Sequence, residues 1–418
     1  MIRQYIARPR RQFRLDSCSP VSLDLAIFYF LPFSFLGHYL LTLAFLFPIL
    51  VIRILRNGAG VWRATGHDGS ESSMHRTIYH LHLYTLLYIL AITFLSTSTS
   101  GELVSAFNYL GFLLIPIVFH AFKSDNLKYL DAFLRGALHS SLIISSYIIL
   151  NFIFKGYPER VIWDSQLGAL FLGIALSRFD LGRMPGRLIA LLTLAFGGYA
   201  IILSGTRVSV ILLYMCVMVI TVLTVRRYGL KRVNKSFIIA FLLVVPLLIM
   251  IRSPLWDRFE KSLSHIGVVA INQDDQKSLD FSDSTAIRVN IFKATFSSLS
   301  AENLLLGSRD LNPYRAIENF LDPSVLELTS GQNHLHSSFL DTLVLGGLPL
   351  IIFTLYVLLR QIKAAYYVRD DSGRCVALIA VLWLFAIFFV DSVFLSLKAY
   401  LFYGVVTAIV FSNIGTKQ

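Results

Sequence analysis

Apolar residues gather into continuous runs of roughly 18–22 positions that recur along the chain, each long enough to cross a bilayer as an α-helix. The runs do not alternate with polar residues at period two, which excludes a β-barrel. No water in the hydrocarbon satisfies open backbone, so the crossings must be helical. The pattern predicts about twelve spans, near 22–36, 38–54, 78–96, 102–122, 132–154, 164–178, 187–203, 207–225, 236–251, 339–359, 375–390 and 393–412. Only "GH" separates the first two, which leaves a re-entrant hairpin as an alternative there. The expected fold class is all-α: a polytopic membrane protein, one transmembrane domain over 1–418.

The polar stretches between the runs set the orientation. "RILRNGAGVWRATGHDGSESSMHR", "RFDLGRMPGR", "RRYGLKRVNK" and "RQIKAAYYVRDDSGR" are basic and fall on one side if every span crosses. "STSTSGE", "SGT" and "DS", on the other side, are nearly free of Lys and Arg. The positive-inside rule then predicts both termini in the cytoplasm and the long loop, about 252–337, outside. That loop carries helical patterns of its own in "SPLWDRFEKSLSHIGVVAI" and "DSTAIRVNIFKATFSSL", the second opening on Ser284 as a candidate N-cap. A loop of this length with its own helices reads as a functional subdomain.

Composition narrows the picture. Of 418 residues, 56% are hydrophobic and 15% charged, with mean hydropathy +0.67, which removes water-soluble enzyme folds. A net charge of +12 would suggest nucleic acid in a soluble chain. Here the cytoplasmic loops and anionic membrane lipids account for it, so no nucleic-acid partner is expected. Cys18, Cys216 and Cys375 lie far apart and match no metal-ligand spacing. The basic opening "MIRQYIARPRRQFR" lacks the apolar core and cleavage site of a signal peptide.

Three features converge on the outer surface. In "LSGTRVSVILL" Thr206 can cap the eighth span, leaving Arg207 in its first turn, where free N–H groups and the helix dipole favour an anion. The alternative is an arginine that snorkels to headgroups. Arg288, in "DSTAIRVNIFK", sits on the loop helix, where a solvated surface residue is the default reading. In "NHLHSSFLDTL", Ser338 followed by Asp341 resembles a capping box, so the tenth span would start at Phe339 with His336 just ahead of it. A positive helix end disfavours the imidazolium, which suits a general base; an interfacial histidine bonded to its loop is the alternative. Metal ligation by His334 and His336 is disfavoured, because i,i+2 residues point apart on a helix and no carboxylate pair accompanies them. No cofactor is expected.

"SGTR" opening a span, "IRVNIFKATFSSL…LLLGS" on a loop helix and "NHLHSSFLDTLVLGG" opening the next span together resemble the O-antigen ligase and polymerase superfamily. The resemblance covers 200–412 in order; the N-terminal half matches only as a set of spans. It implies an inverting, metal-independent glycosyltransferase of the bacterial inner membrane, working at the periplasmic face. The donor implied is an undecaprenyl-diphosphate-linked glycan. The acceptor is a lipid A-core sugar for a ligase, or a second lipid-linked glycan for a polymerase. By motif, Arg207 and Arg288 would hold the donor diphosphate and His336 would be the base, with His334 a weaker claimant. Arg252, Arg258 and Lys293 are further candidates for phosphate contacts. Asp391 and Lys398 form an ionisable pair at the last span, with a structural ion pair as the alternative. The chain departs from the family pattern at Ser337, where Asn is common, and at Leu350, where a second glycine is usual after Gly347. Loop length, the "HLH" form and overall size favour ligase over polymerase. A flippase or transporter is the reading from another class, and the absence of internal repeats and of charges lining a path weighs against it.

Overall fold

A computed structural model describes residues 126–155, 162–179, 181, 183–229, 235–251, 284–308, 312–329, 334–366, 368 and 371–390, together with positions 26, 29–32 and 87. Among the described residues the regular structure is entirely helical. The order is α1 (Asn126–Lys155), α2 (Ile162–Leu176), α3 (Met184–Leu203), α4 (Arg207–Tyr228), α5 (Lys235–Ile251), α6 (Ser284–Ser298), α7 (Ala301–Leu306), a 3₁₀ turn (Arg315–Phe320), α8 (Pro323–Leu328), α9 (Ser338–Tyr366) and α10 (Asp371–Val390). Among them α3, α4, α9, α10 and Leu130–Lys155 of α1 are long and apolar enough to cross a membrane. These five helices, together with α2 and α5, fall on seven of the predicted spans. The first four spans and the last lie outside the described residues, apart from helical positions 26, 29–32 and 87.

The core forms around α2, which packs against α1, α3, α4 and α10. Every residue from Leu167 to Leu176 is buried, as expected of a helix apolar on all sides. At 15 residues α2 is about 22 Å long, short of the roughly 30 Å hydrocarbon thickness. Protein surrounds it, so its ends need not reach the headgroups. Glycines admit its neighbours: a Cβ on Gly173 would lie 2.6 Å from Cys216 Sγ of α4, and one on Gly197 of α3 would lie 2.7 Å from Leu172. Small residues that let helix backbones approach are the usual means of packing where lipid offers no hydrophobic driving force.

Polar contacts establish the helix directions. Arg227, at the end of α4, lies 3.4 Å from Asp371 at the start of α10, and Arg226 donates to the Tyr366 hydroxyl at the end of α9. This is the basic end of the bundle. At the opposite end, Ser165 and Ser209, near the starts of α2 and α4, share a buried hydrogen bond of 2.8 Å.

A second, smaller core holds the described part of the 252–337 loop together. Ile291 and Ala294 of α6 meet Tyr314, Ile317, Leu321 and Val325. Leu335, Leu340 and Val344 complete this core, so the front of α9 belongs to the loop subdomain as well as to the bundle. Of the loop's two expected helices, the second runs Ser284–Ser298, with Ser284 as its first described helical residue rather than the N-cap expected; the first lies outside the described residues.

The tenth span differs from expectation. Gly347 has φ 66° and ψ −165°, which breaks α9 into a front piece, Ser338 to Gly346, and a rear piece from Leu348 to Tyr366. The reason is local. Pro349 has no N–H for the carbonyl of Leu345, and Ser308 N–H of the loop donates to Val344 O at 2.7 Å, taking the place of the next rung. The rear piece, about 19 residues and roughly 28 Å, is itself long enough to cross the hydrocarbon. The stretch expected to form one helix from Phe339 is thus two helical pieces that meet at Gly347.

Candidate functional site

The break turns the front piece of α9 back over the end of the bundle. Phe389 lies 18 residues past the start of α10, level with residue 348 in a straight antiparallel hairpin. Ser337 would then stand about 16 Å beyond it at 1.5 Å per residue. Instead Ser337 Oγ donates to Phe389 O at 3.0 Å, and Phe339 stacks on Phe389 with ring centroids 5.5 Å apart. The serine thus reaches a carbonyl in the last described turn of α10. The residues just ahead of Ser337 are thereby set down at the end of the bundle opposite the basic end.

The start of α9 is capped one residue earlier than predicted. Ser337 is the N-cap: its carbonyl accepts from Asp341 N–H at 2.9 Å and its hydroxyl from Leu340 N–H at 3.4 Å. Ser338 is the first helical residue. Asp341 does not close a capping box with Ser338. Its Oδ1 accepts instead from Leu335 N–H at 2.7 Å, a charge-assisted bond with the carboxylate only 2% exposed. The sequence reading names Ser338; it is Ser337, beside it, whose hydroxyl meets both Leu340 N–H and Phe389 O.

Leu335 is buried in the loop core while His334 and His336 on either side stay half-buried, so both imidazoles face away from that core. His336 has φ 56°, in the left-handed region, at a cost of about 1 kcal/mol for a residue with a side chain. Its N–H donates to His334 Nδ1 at 3.3 Å, which places the proton of a neutral His334 on Nε2. The two rings are perpendicular with centroids 4.5 Å apart. The expectation that i,i+2 histidines point apart fails here, because the pair precedes the helix. Among the described residues no group of three or more His, Cys, Asp or Glu comes together as a metal site.

Arg207 is the first residue of α4, half-buried, and Thr206 holds the N-cap position with extended backbone. The threonine side chain makes no capping bond; its own N–H donates to Ser204 Oγ at 3.3 Å. Since α4 runs antiparallel to α10, as the Arg227–Asp371 contact requires, Arg207 lies at the same end as Ser337 and Phe389. Arg288 is exposed on α6, beside Ile287 and one turn from Ile291, which both pack into the core that also holds Leu335. Lys293 is half-buried on the same helix. The structure thus gathers Arg207 and the two histidines at one end of the bundle, with Arg288 on the subdomain that carries His336. Arg252, Arg258, Asp391 and Lys398 lie outside the described residues.

Sequence reasoning missed Ser337, the bond from Asp341 to Leu335 and the break at Gly347. A signal for the last was present in "LGGLP": glycine past the end of one helix and proline just inside the next.

Residues 189–355, from within α3 to past the break in α9, match the family model described as O-antigen ligase. Over that stretch the chain is similar to the O-antigen ligase family. That stretch contains Arg207, Arg288, Lys293 and both histidines, in the order that the resemblance implied. No curated protein matches the chain. An O-antigen ligase domain on a chain with several membrane-length helices fits a multi-pass membrane protein with glycosyltransferase-like ligase or polymerase activity on lipid-linked glycans.

Proposed function

We propose that this protein is an O-antigen ligase: an inverting, metal-independent glycosyltransferase at the periplasmic face of the inner membrane. It moves a glycan from undecaprenyl diphosphate to a sugar hydroxyl of the lipid A core. The observation that carries this reading is the break at Gly347 with the Ser337–Phe389 hydrogen bond, which sets His336 at the same bundle end as Arg207. Both substrates are anchored by lipid, so a base must stand where the bundle meets the membrane surface.

In this reading Arg207 and Arg288 bind the donor diphosphate as bidentate forks and neutralise it as a leaving group. The acceptor hydroxyl attacks the anomeric carbon opposite the departing diphosphate, inverting that centre. The C–O bond to the diphosphate breaks, and the hydroxyl proton passes to the His336 imidazole. No general acid is required, because a neutralised diphosphate departs without a proton. The strained backbone of His336 supports this role, since left-handed non-glycine residues concentrate at functional sites.

The test is the surface glycolipid profile of a deletion strain complemented with the wild-type chain. Loss of all long glycan on lipid A, with carrier-linked polymer accumulating, is the expected result. Glycolipid bearing a single repeat unit would instead identify a polymerase. Loss of glycan on lipid A with carrier-linked glycan trapped in the cytoplasmic leaflet would replace both with a flippase.

A further inference from the structure

A cavity of about 190 Å³ opens at the basic end, between α2, α4 and α10. Its floor is apolar, with Leu176 of α2 and Ile220 of α4. Its rim carries Arg226, Arg227 and Arg374 against one carboxylate, Asp371, a net charge of +2 among the lining residues. The guanidiniums are held in place before any ligand arrives. Arg226 lies 4.8 Å from the Tyr366 ring centroid and donates to its hydroxyl. Arg374 Nε donates to Val368 O at 3.0 Å. Asp371 is shared between Arg227 and Arg374, each at 3.4 Å, longer than the roughly 2.7–2.9 Å of a well-formed charge-assisted bond. One carboxylate held loosely does not neutralise three arginines. The N-terminus of α10, a 20-residue helix starting at Asp371, adds its partial positive charge to the same space.

We propose that this cavity is a second anion site, at the end of the bundle opposite His336, and that it takes a phosphate ester. The apolar floor under a cationic rim favours the headgroup of an anionic membrane lipid over inorganic phosphate, with the ester's hydrocarbon against α2 and α4. Basic pockets between membrane helices are the usual receptors for such headgroups.

The full chain is purified in detergent, equilibrated with equal amounts of phosphatidylglycerol and phosphatidylcholine, and repurified; retained lipid is counted by mass spectrometry. Wild type should retain phosphatidylglycerol selectively, and excess inorganic phosphate should not displace it. Arg227→Gln with Arg374→Gln should lower retention at least tenfold, whereas Arg315→Gln, exposed on the loop subdomain, should leave it unchanged. Asp371→Asn should raise retention, an effect that misfolding cannot imitate. Equal retention in wild type and the double glutamine variant, with no gain from Asp371→Asn, would overturn the site. Displacement by inorganic phosphate would overturn the lipid assignment.

Discussion

Replacing Asp341 tests whether the placement of His336, and not only its presence, supports transfer. The buried carboxylate accepts Leu335 N–H at 2.7 Å. Removing it forfeits a charge-assisted bond of about 1.5–3 kcal/mol and leaves a buried donor unsatisfied. The next residue, His336, already sits in the left-handed region at about 1 kcal/mol. The contacts that remain are Leu335 in its core and the Ser337 cap, and neither acts on the strained bond directly. A loss near 2 kcal/mol corresponds to about thirtyfold in the equilibrium between the native turn and its alternatives. Asp341→Ala should therefore lower transfer about thirtyfold at saturating donor while donor binding by Arg207 and Arg288 changes little. Asp341→Asn keeps an oxygen acceptor in the same place and should recover much of the loss. The assay is donor binding and glycan transfer side by side on purified variants. Full activity in Asp341→Ala would refute the positioning argument. Equal inactivity in Asn and Ala variants would mean that the carboxylate itself takes part in proton transfer.

Gly347→Ala should be among the most damaging small substitutions, because φ 66° is strained for alanine and its Cβ would lie 2.6 Å from Leu304 O. A loss of at least about 3 kcal/mol, read as a lower unfolding temperature in detergent with lost transfer, is expected. Wild-type behaviour would count against the reversal. Arg207→Lys or Arg288→Lys should weaken donor binding less than Ala, by contrast with His336→Ala, which should spare binding and lower transfer about a hundred- to ten-thousandfold. If His336→Ala abolishes binding instead, the base lies elsewhere. Burial pushes the Tyr314 phenol's pKa up, and the hydroxyl bonds Thr329. The neutral form is the one stabilised, so this contribution is whole below about pH 10 and is lost as pH rises through the folded value. Proteolysis within 284–329 should rise above that pH, and Tyr314→Phe should blunt the change. Reporter fusions in "RRYGLKRVNK" should read cytoplasmic and fusions in 301–306 periplasmic; the reverse would detach the site from its substrates.

The run lengths and the polar punctuation between them determined where helices form. The structure's α3 ends at Leu203 and α4 starts at Arg207, as expected, because "SGT" cannot continue an apolar helix and both flanks must cross. The ordered motifs on 200–412 likewise pointed to the superfamily whose model matches residues 189–355, and they suggested the candidate roles of Arg207, Arg288 and His336. Periodicity could not reveal that α9 breaks at Gly347, since an apolar stretch reads the same whether it lies in lipid or in a protein core. Nor could it choose Ser337 over Ser338 as the cap, a choice made by a hydrogen bond to a carbonyl 52 residues away. The charge at the basic end was visible in the sequence as topology. That three of its arginines surround one cavity depended on α2 being too short to span and on α4 and α10 closing over its end. Local composition establishes which segments leave water, whereas the contacts that place a histidine or build a pocket join residues that sequence distance does not order.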